Sequence, residues 1–457
     1  MTAPDGHGVA FGEALRAWAR IALLSFGGPA GQIALMHHIL VEEKKWIGEE
    51  RFLHALNFCM MLPGPEAQQL AIYIGWLLHR VKGGLVAGIL FVLPGVVAIM
   101  ALSWLYVLAA AAPPVTALLF GIKAAVVAIV FQAVVRIGRR SLINRARLGV
   151  AALAFLALFL FKLPFPLIIL AAGAGGWLAQ KSGSPVFSSS GGHGPSGAPT
   201  LRDIDSALGA DMPAHARQGF ARLVWLAAIL LTLWVAPVVA LVLVAPPDSA
   251  FAPIAMFFSK MAMLTFGGAY AVLAWVGQAA VEHYRWITPG EMLDGLGLAE
   301  STPGPLIIVT QYVGFLAAYR HPGGLDPLVA GTLGGLLTTW VTFVPCFLWI
   351  FLGAPFVEWL RGHRALASAL AAIGAAVVGV ILNLACWFAL HYWFAQVGEI
   401  SFGPLRLPWP DPSSLDWAAL ILSAAALIAA MRLRAGLFGL LAGCAVAGLA
   451  WRWAITG

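Results

Sequence analysis

Charged side chains are scarce in this sequence. Only 10% of its 457 residues are Asp, Glu, Lys or Arg, while 61% are hydrophobic. A soluble domain carries about 25% charged residues, so the shortage excludes a soluble globular protein. The apolar runs are about 20 residues or longer and lack the alternation of barrel strands. The sequence therefore predicts an all-α polytopic membrane protein.

Cysteine is also rare. The four cysteines lie in apolar runs without a C-x-x-C pair, and the eleven histidines form no H-E-x-x-H motif. We interpret the cysteines as core residues, and we expect no metal and no cofactor. Asp5 and Glu13 argue against a cleaved signal peptide. The net charge of +7 comes from basic residues scattered at the ends of apolar runs, which indicates membrane orientation rather than nucleic-acid binding.

Two apolar runs contain a sequence that cannot continue a helix. Pro63-Gly64-Pro65 interrupts the run 52–79, and Pro303-Gly304-Pro305 interrupts the run 291–319. Proline lacks the backbone N–H and clashes with the preceding turn. In hydrocarbon such a break survives only where it is buried in protein or lines a water-filled cavity.

The two breaks belong to an internal repeat with an offset of 240 residues, from 63 to 303. The same offset superimposes Phe26-Gly27-Gly28 on Phe266-Gly267-Gly268. Further matches join Glu42 to Glu282, Trp46-Ile47 to Trp286-Ile287, Gly83-Gly84 to Gly323-Gly324 and, after a small shift, 122–127 to 373–378. The chain is therefore predicted to contain two homologous halves with broken helices.

We expect about 13 spans. The apolar runs are 11–40, 52–79, 84–111, 115–135, 148–162, 164–180, 220–245, 251–280, 291–319, 325–357, 365–393, 415–431 and 435–455. The first repeat occupies 1–180, a flexible polar cytoplasmic linker 181–219, an extra inverting span 220–245, and the second repeat with two C-terminal spans 246–457. Whether 148–180 forms one span or two stays open.

Charge distribution favours an inverted second half. With the N-terminus cytoplasmic, 13 spans place 17 basic residues inside and 7 outside, as the positive-inside rule requires. In this arrangement the stretch 42–51 lies outside and Arg80 inside. If 148–180 were a single span, the inversion would fail.

Inverted repeats with broken helices are typical of secondary transporters, whose substrate binds near the midplane. Helix N-termini at the breaks offer N–H groups to an oxyanion, although glycine pairs also serve tight helix packing. The candidate substrate-binding residues are Ser25, Phe26, Gly27, Gly28, Pro63, Gly64 and Pro65 in the first half, and Thr265, Gly267, Gly268, Thr302, Pro303, Gly304 and Pro305 in the second.

Three cations within apolar runs extend this set. Lys123 lies in mid-span, and Arg20 and Lys260 occupy equivalent positions six residues before the Phe-Gly-Gly motifs. A charge at bilayer depth usually faces a pathway or a partner, so all three are candidates to bind a compact dianion. Snorkelling to the interface is the alternative for Arg20 and Lys260.

Two carboxylates flank the breaks and are candidate proton carriers. Glu66 follows the first break and Glu300 precedes the second. Glu66 could equally cap a helix N-terminus. Asp294 and Glu291 are expected to be solvated near the interface.

The motifs resemble the chromate ion transporter family in its long, two-domain bacterial form. The resemblance rests on 25–29 (SFGGP), 62–70 (LPGPEAQQL), 265–268 (TFGG) and 302–305 (TPGP), and it covers nearly the whole chain. It implies a multi-pass protein of the inner membrane that exports chromate with the proton motive force and gives chromate resistance. It also implies a relation to sulfate handling, because chromate mimics sulfate in shape and charge.

Three alternatives stay open at this point. A transporter of the same architecture could carry sulfate or another tetrahedral oxyanion. A channel would show flux without a proton gradient. An intramembrane lipid-modifying enzyme is disfavoured, because no nucleophile–base–orienter set and no metal-ligand spacing is present. The expected partners are the oxyanion, protons and the lipid bilayer, without nucleic acid; a homodimer is left open.

Overall fold

Helices account for most of the described chain. A computed structural model describes residues 8–110, 112–187, 201–209, 220–266, 268–354 and 363–456. The helices are α1 (Phe11–Leu24), α2 (Gly28–His37), α3 (Glu49–Met61), α4 (Glu66–Ala109), α5 (Pro113–Ser141), α6 (Arg145–Phe159), α7 (Phe165–Lys181), α8 (Phe220–Val244), α9 (Phe251–Leu264), α10 (Ala269–Gln278), α11 (Pro289–Glu300), α12 (Val309–Arg320), α13 (Pro327–Gly353), α14 (Arg364–Trp393), α15 (Trp417–Met431) and α16 (Leu437–Thr456). Strands β1 (Val397–Phe402) and β2 (Leu405–Pro410) form one antiparallel hairpin.

The prediction of an all-α polytopic membrane protein is confirmed. Six helices in the described part of the chain are long and apolar enough to cross a membrane: α4, α5, α8, α13, α14 and α16. Local sequence explains several helix starts. Asp326 and Asp416 accept backbone N–H groups as N-caps, and Thr288 and Glu291 form a capping box, which satisfies donors that a helix start leaves unpaired.

The internal repeat is visible in the backbone. Gly64 and Gly304, 240 residues apart, both have positive φ, at 129° and 106°. Lys45 and Arg285 share a left-handed conformation with φ of 54° and 55°. Each of these two residues closely follows a short π-helix, at His38–Glu43 and Ala279–His283. Non-glycine residues rarely adopt this conformation, so the coincidence supports common descent of the two halves.

The chain divides into two compact units. Unit 1 comprises residues 1–100, 190–268 and 302–363, and unit 2 comprises 101–189, 269–301 and 364–457. Most of the predicted linker, 181–219, lies outside the described residues. Its described portion in unit 1 forms a short turn against the loop after α2, where Glu49 N–H donates to Leu201 O at 2.9 Å and Leu208 N–H donates to Trp46 O at 3.0 Å.

In unit 1 the first broken run folds back on itself. The Lys44 ammonium lies 3.0 Å from Glu13, and Arg20 lies 2.7 Å from Glu43. The residues that follow α2 are therefore beside the start of α1. The expectation that 11–40 is a single crossing span is wrong, because the break at 25–28 reverses the chain direction.

The second broken run is also a hairpin. Near its start, Glu49 lies 2.6 Å from His37 at the end of α2. At its end, His79 Nε2 lies 3.0 Å from Val9 O near the N-terminus. The run 52–79 therefore enters and leaves on one side. The expected placement of 42–51 on the side opposite Arg80 is wrong for the same reason.

Two equivalent helices of the halves run antiparallel in unit 1. A Cβ built on Gly88 would lie 2.6 Å from the Phe347 ring, and one on Gly335 would lie 3.2 Å from Met100. The start of α4 beyond its kink at His79 and Arg80 thus faces the end of α13. Equivalent helices that run in opposite directions are what an inverted repeat produces.

Unit 2 shows the same opposition between α5 and α14. The Tyr392 hydroxyl donates to Phe120 O at 2.8 Å near one end, and Gly138 faces Val378 near the other. The stretch 148–180 forms two helices, not one. They are antiparallel, because Asn144 before α6 donates to Val186 O after α7 at 2.8 Å.

The helical hairpins of unit 2 are exchanged between halves. Helices α6 and α7 follow α5 in sequence but pack on α14, whereas α15 and α16 follow α14 but pack on α5. Ser368 donates to Gln180 at 2.9 Å in the first contact, and Gln132 donates to Ala430 O at 3.3 Å in the second. Neither half completes its own packing.

Candidate functional site

The helix breaks of the two halves meet in unit 1. Gly64 N–H donates to Thr265 O at 2.9 Å, and Gly304 N–H donates to Ser25 O at 2.8 Å. The offset of 240 converts one bond into the other, so the pairing is reciprocal. We call the segments 25–28, 62–66, 265–268 and 302–305 the break cluster. Its residue Gly267 lies outside the described residues.

Local chemistry ends the helices that lead into the cluster. The Ser25 hydroxyl donates to Ile21 O at 2.7 Å, and the Thr265 hydroxyl donates to Met261 O at 2.6 Å. Each hydroxyl occupies a carbonyl of the last helical turn, which bends the helix. The positive φ of Gly64 and Gly304 then turns the chain through a conformation that other residues avoid.

Helices α2 and α4 start at the cluster, at Gly28 and Glu66, and α12 follows Pro305 after a short 3₁₀ turn. The first N–H groups of a helix have no partner within the helix, and the helix dipole makes this end positive. The break cluster of unit 1 therefore offers several neutral donors to an anion. This is the arrangement that the sequence predicted, and anion binding there stays a prediction.

Three buried glutamines accompany the breaks. Gln32 donates to Gly304 O at 2.6 Å, and Gln69 donates to Pro63 O at 2.7 Å. Gln68 is 1% exposed, and neither its Nε2 nor its Oε1 has a hydrogen-bond partner among the described residues. An unpaired buried polar group costs about 1–3 kcal/mol, which makes Gln68 the amide free to meet a ligand or water.

Glu66 brings a carboxylate to the same cluster. Its Oε1 would lie 3.6 Å from a Cβ built on Gly268. The equivalent position in the second half is Leu306, so the two-fold similarity of the breaks does not extend to this charge. The cluster therefore combines backbone N–H donors with one carboxylate, and anion or proton binding there stays a prediction.

The predicted cations on α1 and α9 lie on the protein surface. The Arg20 side chain is 50% exposed and bonds Glu43, and Lys260 is exposed. These exposed positions agree better with side chains that snorkel to the membrane interface than with side chains that line the break cluster. Their role in substrate binding stays a prediction.

Lys123 pairs with a buried carboxylate in unit 2. Its ammonium lies 3.2 Å from Asp294 Oδ2, to which the Tyr106 hydroxyl also donates at 3.0 Å. Asp294 is 3% exposed. The expectation that Asp294 is solvated near the interface is wrong, because α11 turns this carboxylate toward α5. Glu291, one turn earlier, is half-buried.

Glu300 ends the same helix and is also buried. The Tyr270 hydroxyl donates to its Oε1 at 2.6 Å, and the exposed Arg136 interacts with the pair electrostatically. A carboxylate with a phenol and a guanidinium as neighbours can hold or release a proton. In the described part of the chain no three His, Cys, Asp or Glu side chains are grouped as metal ligands.

Sequence reasoning missed three side chains of these sites, Gln32, Tyr106 and Tyr270, and it misplaced a fourth, Asp294, in solvent. Tyr106 and Tyr270 gave no signal, because a tyrosine in an apolar run is usually a packing residue. The sequence did contain a signal for Asp294, since an acidic residue five positions inside a helix with an apolar surface needs a partner. Lys123 was the available cation.

Comparisons with known proteins agree with the repeat. A family model described as chromate transporter matches residues 12–177 and 252–449. The matched regions begin at 12 and 252, which is again an offset of 240. No solved structure matches the chain significantly.

Several curated proteins are similar over most of their length. A chromate transport protein of Pseudomonas aeruginosa is 32% identical over 369 residues, which cover 79% of this chain and 77% of that protein. A chromate transport protein of Cupriavidus metallidurans is 27% identical, with 79% and 78% covered. A probable chromate transport protein of Synechococcus elongatus is 25% identical, with 74% of each chain covered.

Proposed function

The chain belongs to the chromate transporter family, and from this premise we propose that it exports chromate across the bacterial inner membrane with energy from the proton motive force. The names of its relatives support chromate as the transported ion and a transporter rather than an enzyme. Export, proton coupling and the inner membrane are our proposals, and giving chromate resistance would follow from them.

The observation that carries the proposal is the pairing of helix breaks around unpaired amide groups. Neutral N–H donors at helix starts suit a tetrahedral dianion, because they bind charge without a buried counter-ion. We propose that the predicted residues of the break cluster and Gln68 bind the oxyanion. Lys123, Arg20 and Lys260 would attract or relay it.

Glu66 and Glu300 are the proposed proton carriers. Glu66 is at the break cluster in unit 1, and Glu300 bonds Tyr270 in unit 2. A carboxylate at membrane depth is more stable when protonated or paired, so a change in its surroundings moves its proton.

Sulfate or another tetrahedral oxyanion is the alternative substrate. Backbone donors recognise the size and charge of an anion rather than its central atom, so the proposed site does not distinguish chromate from sulfate. Competition between chromate and sulfate in the same vesicles decides between them.

Transport in proteoliposomes of known orientation tests the function. We expect saturable chromate movement that depends on a pH gradient or membrane potential. Gly64→Ala should reduce it by about tenfold or more, because the new Cβ would lie 2.7 Å from Gln69 Nε2 and 3.0 Å from Cys346 Sγ in a strained backbone.

Gly149→Ala is the matched control, since Gly149 is helical and a Cβ there meets nothing within 4 Å. Lys123→Ala, with Lys181→Ala as its control, extends the test to unit 2. Chromate transport at the wild-type rate in Gly64→Ala and Lys123→Ala would refute the proposed site. Absence of chromate transport by the wild type would refute the function.

A further inference from the structure

A second polar cluster belongs to unit 2 and is built from α4, α5 and α11. Asp294 is its centre, with Lys123 Nζ at 3.2 Å and the Tyr106 hydroxyl at 3.0 Å, both on Oδ2. Asp294 is 97% buried, and its Oδ1 has no partner among the described residues. The carboxylate thus presents one satisfied and one unsatisfied oxygen.

The cluster lines an open cavity of about 210 Å³. The polar groups in its wall are Tyr106, Thr116, Lys123, Thr288, Glu291 and Asp294. Gly290 leaves room beside the Lys123 ammonium, because a Cβ at this position would lie only 3.3 Å from Nζ. The cavity is larger than a single water needs and large enough for a compact oxyanion.

We propose that Asp294 and Lys123 form a proton-controlled anion site. When Asp294 is ionised it holds the ammonium, and the pair is neutral. When Asp294 takes a proton, the ammonium loses its counter-ion and binds an oxyanion in the cavity. The other groups that face Asp294 are Tyr106 on α4, Glu291 on its own helix and Tyr392 on α14. Lys123 is the cation among them.

The charges follow directly. The pair of Lys123 and ionised Asp294 carries no net charge. After the site has bound one dianion and one proton, its net charge is −1. Anion and proton therefore bind together at this site, and each raises the affinity of the other by the same factor. This inference deepens the proposed oxyanion transport and rests on it; it adds Asp294 to Glu66 and Glu300 as a carboxylate that links a proton to the anion. Because the dianion and the proton move together with a net charge of −1, export through this site draws on the membrane-potential part of the proton motive force.

Binding of chromate to the purified full-length protein in detergent tests the linkage. We expect the wild-type affinity to rise as pH falls, by up to about tenfold per pH unit for one linked proton. Asp294→Asn mimics the protonated acid, so its affinity should be high and should lose the part of the pH dependence that Asp294 contributes. Lys123→Gln should bind at least about tenfold more weakly than the wild type at low pH, where Asp294 is protonated.

Chromate itself takes up a proton in the same range, but this affects every variant equally, so the comparison between variants isolates Asp294. Asp294→Glu keeps a carboxylate and should keep the pH dependence, which separates titration from misfolding. Asp205→Asn is the matched control, because Asp205 forms an exposed ion pair with Arg202.

The inference fails if Asp294→Asn binds chromate with the wild-type pH dependence, or if Lys123→Gln binds as tightly as the wild type. In both cases wild-type chromate binding would leave the proposed function standing. If the wild type binds neither chromate nor sulfate, the proposed function fails and takes this inference with it.

Discussion

Gln32 and Gln68 are both buried amides at the helix breaks, but their hydrogen bonds differ. Gln32 Nε2 donates to the carbonyl of Gly304, one of the residues that turn the chain. Both polar atoms of Gln68 lack a partner in the described structure. The first side chain supports the backbone, and the second is available to a ligand.

This difference predicts opposite effects of the same substitution. Gln32→Leu should lower the thermal stability of the detergent-solubilised protein, because it leaves a buried carbonyl with one partner fewer, at about 1–3 kcal/mol. Gln68→Leu should preserve or raise stability and weaken chromate binding. Thermal unfolding and equilibrium binding measure the two effects. Equal loss of stability in both variants would contradict this assignment.

Residue-level sequence reasoning succeeded where the backbone dictates the residue. Gly64 and Gly304 were predictable, because a proline on each side leaves glycine to absorb a positive φ. Asp294 was expected to be solvated near the interface. Burial of that carboxylate depends on α5, which a single stretch of sequence does not reveal.

At the scale of elements, the broken runs are hairpins whose arms are too short to cross a membrane. Helix α3 has 13 residues and α1 has 14, which at 1.5 Å per residue gives about 20 Å. The hydrocarbon layer is about 30 Å thick. Each arm reaches past the middle and stops. The break cluster is therefore where arms from the two halves meet in unit 1.

Hairpins and crossing spans predict different exposure of single cysteines. After replacement of the native cysteines by alanine, Lys45→Cys and Lys82→Cys should react with an impermeant thiol reagent from the same side of the membrane. Both residues are exposed, and Lys82 packs over Phe11 next to the N-terminus at 4.4 Å. In vesicles of defined orientation, labelling of the two from opposite sides would show that 52–79 crosses the membrane.

The hairpins could have been predicted from arm length. A run of 28 residues such as 52–79 is long enough to span, and this total length suggested a crossing. The break divides it into two arms, and only the length of each arm matters for reaching the far side. The pairing of Gly64 with Thr265 across the halves could not be predicted, since it depends on tertiary packing.

At the scale of the whole molecule, the charges fit the hairpins better than they fit 13 crossings. If the broken runs of both halves are hairpins, Lys44, Lys45 and Arg51 move to the cytoplasmic side, and Arg285 moves outside. The basic residues then divide 19 inside to 5 outside, against 17 to 7 before. The positive-inside rule supports the larger asymmetry, and the inversion of the halves is retained.

Each half also depends on the other for packing. In unit 1, Ser25 O and Thr265 O accept the N–H groups of Gly304 and Gly64 from the opposite repeat. In unit 2, α6 and α7 cover α14, while α15 and α16 cover α5. Separation of the two halves would leave backbone groups without their partners. It would also break tight helix–helix contacts such as that of Gly176 with Ser368, which membrane helices make through small residues.

Cutting the chain between 188 and 200 should therefore leave a functional protein only when both pieces are present. We expect the pieces 1–194 and 195–457, co-expressed, to copurify through a tag on one of them and to transport chromate in proteoliposomes. Each piece alone should be degraded or aggregate, because its break residues and its exposed helices lack their partners. Gly64→Ala in the first piece should weaken the copurification, whereas Gly149→Ala should not. If the second piece alone were stable and transported chromate, the halves would be independent, and the exchange of hairpins would have no role in holding the breaks together.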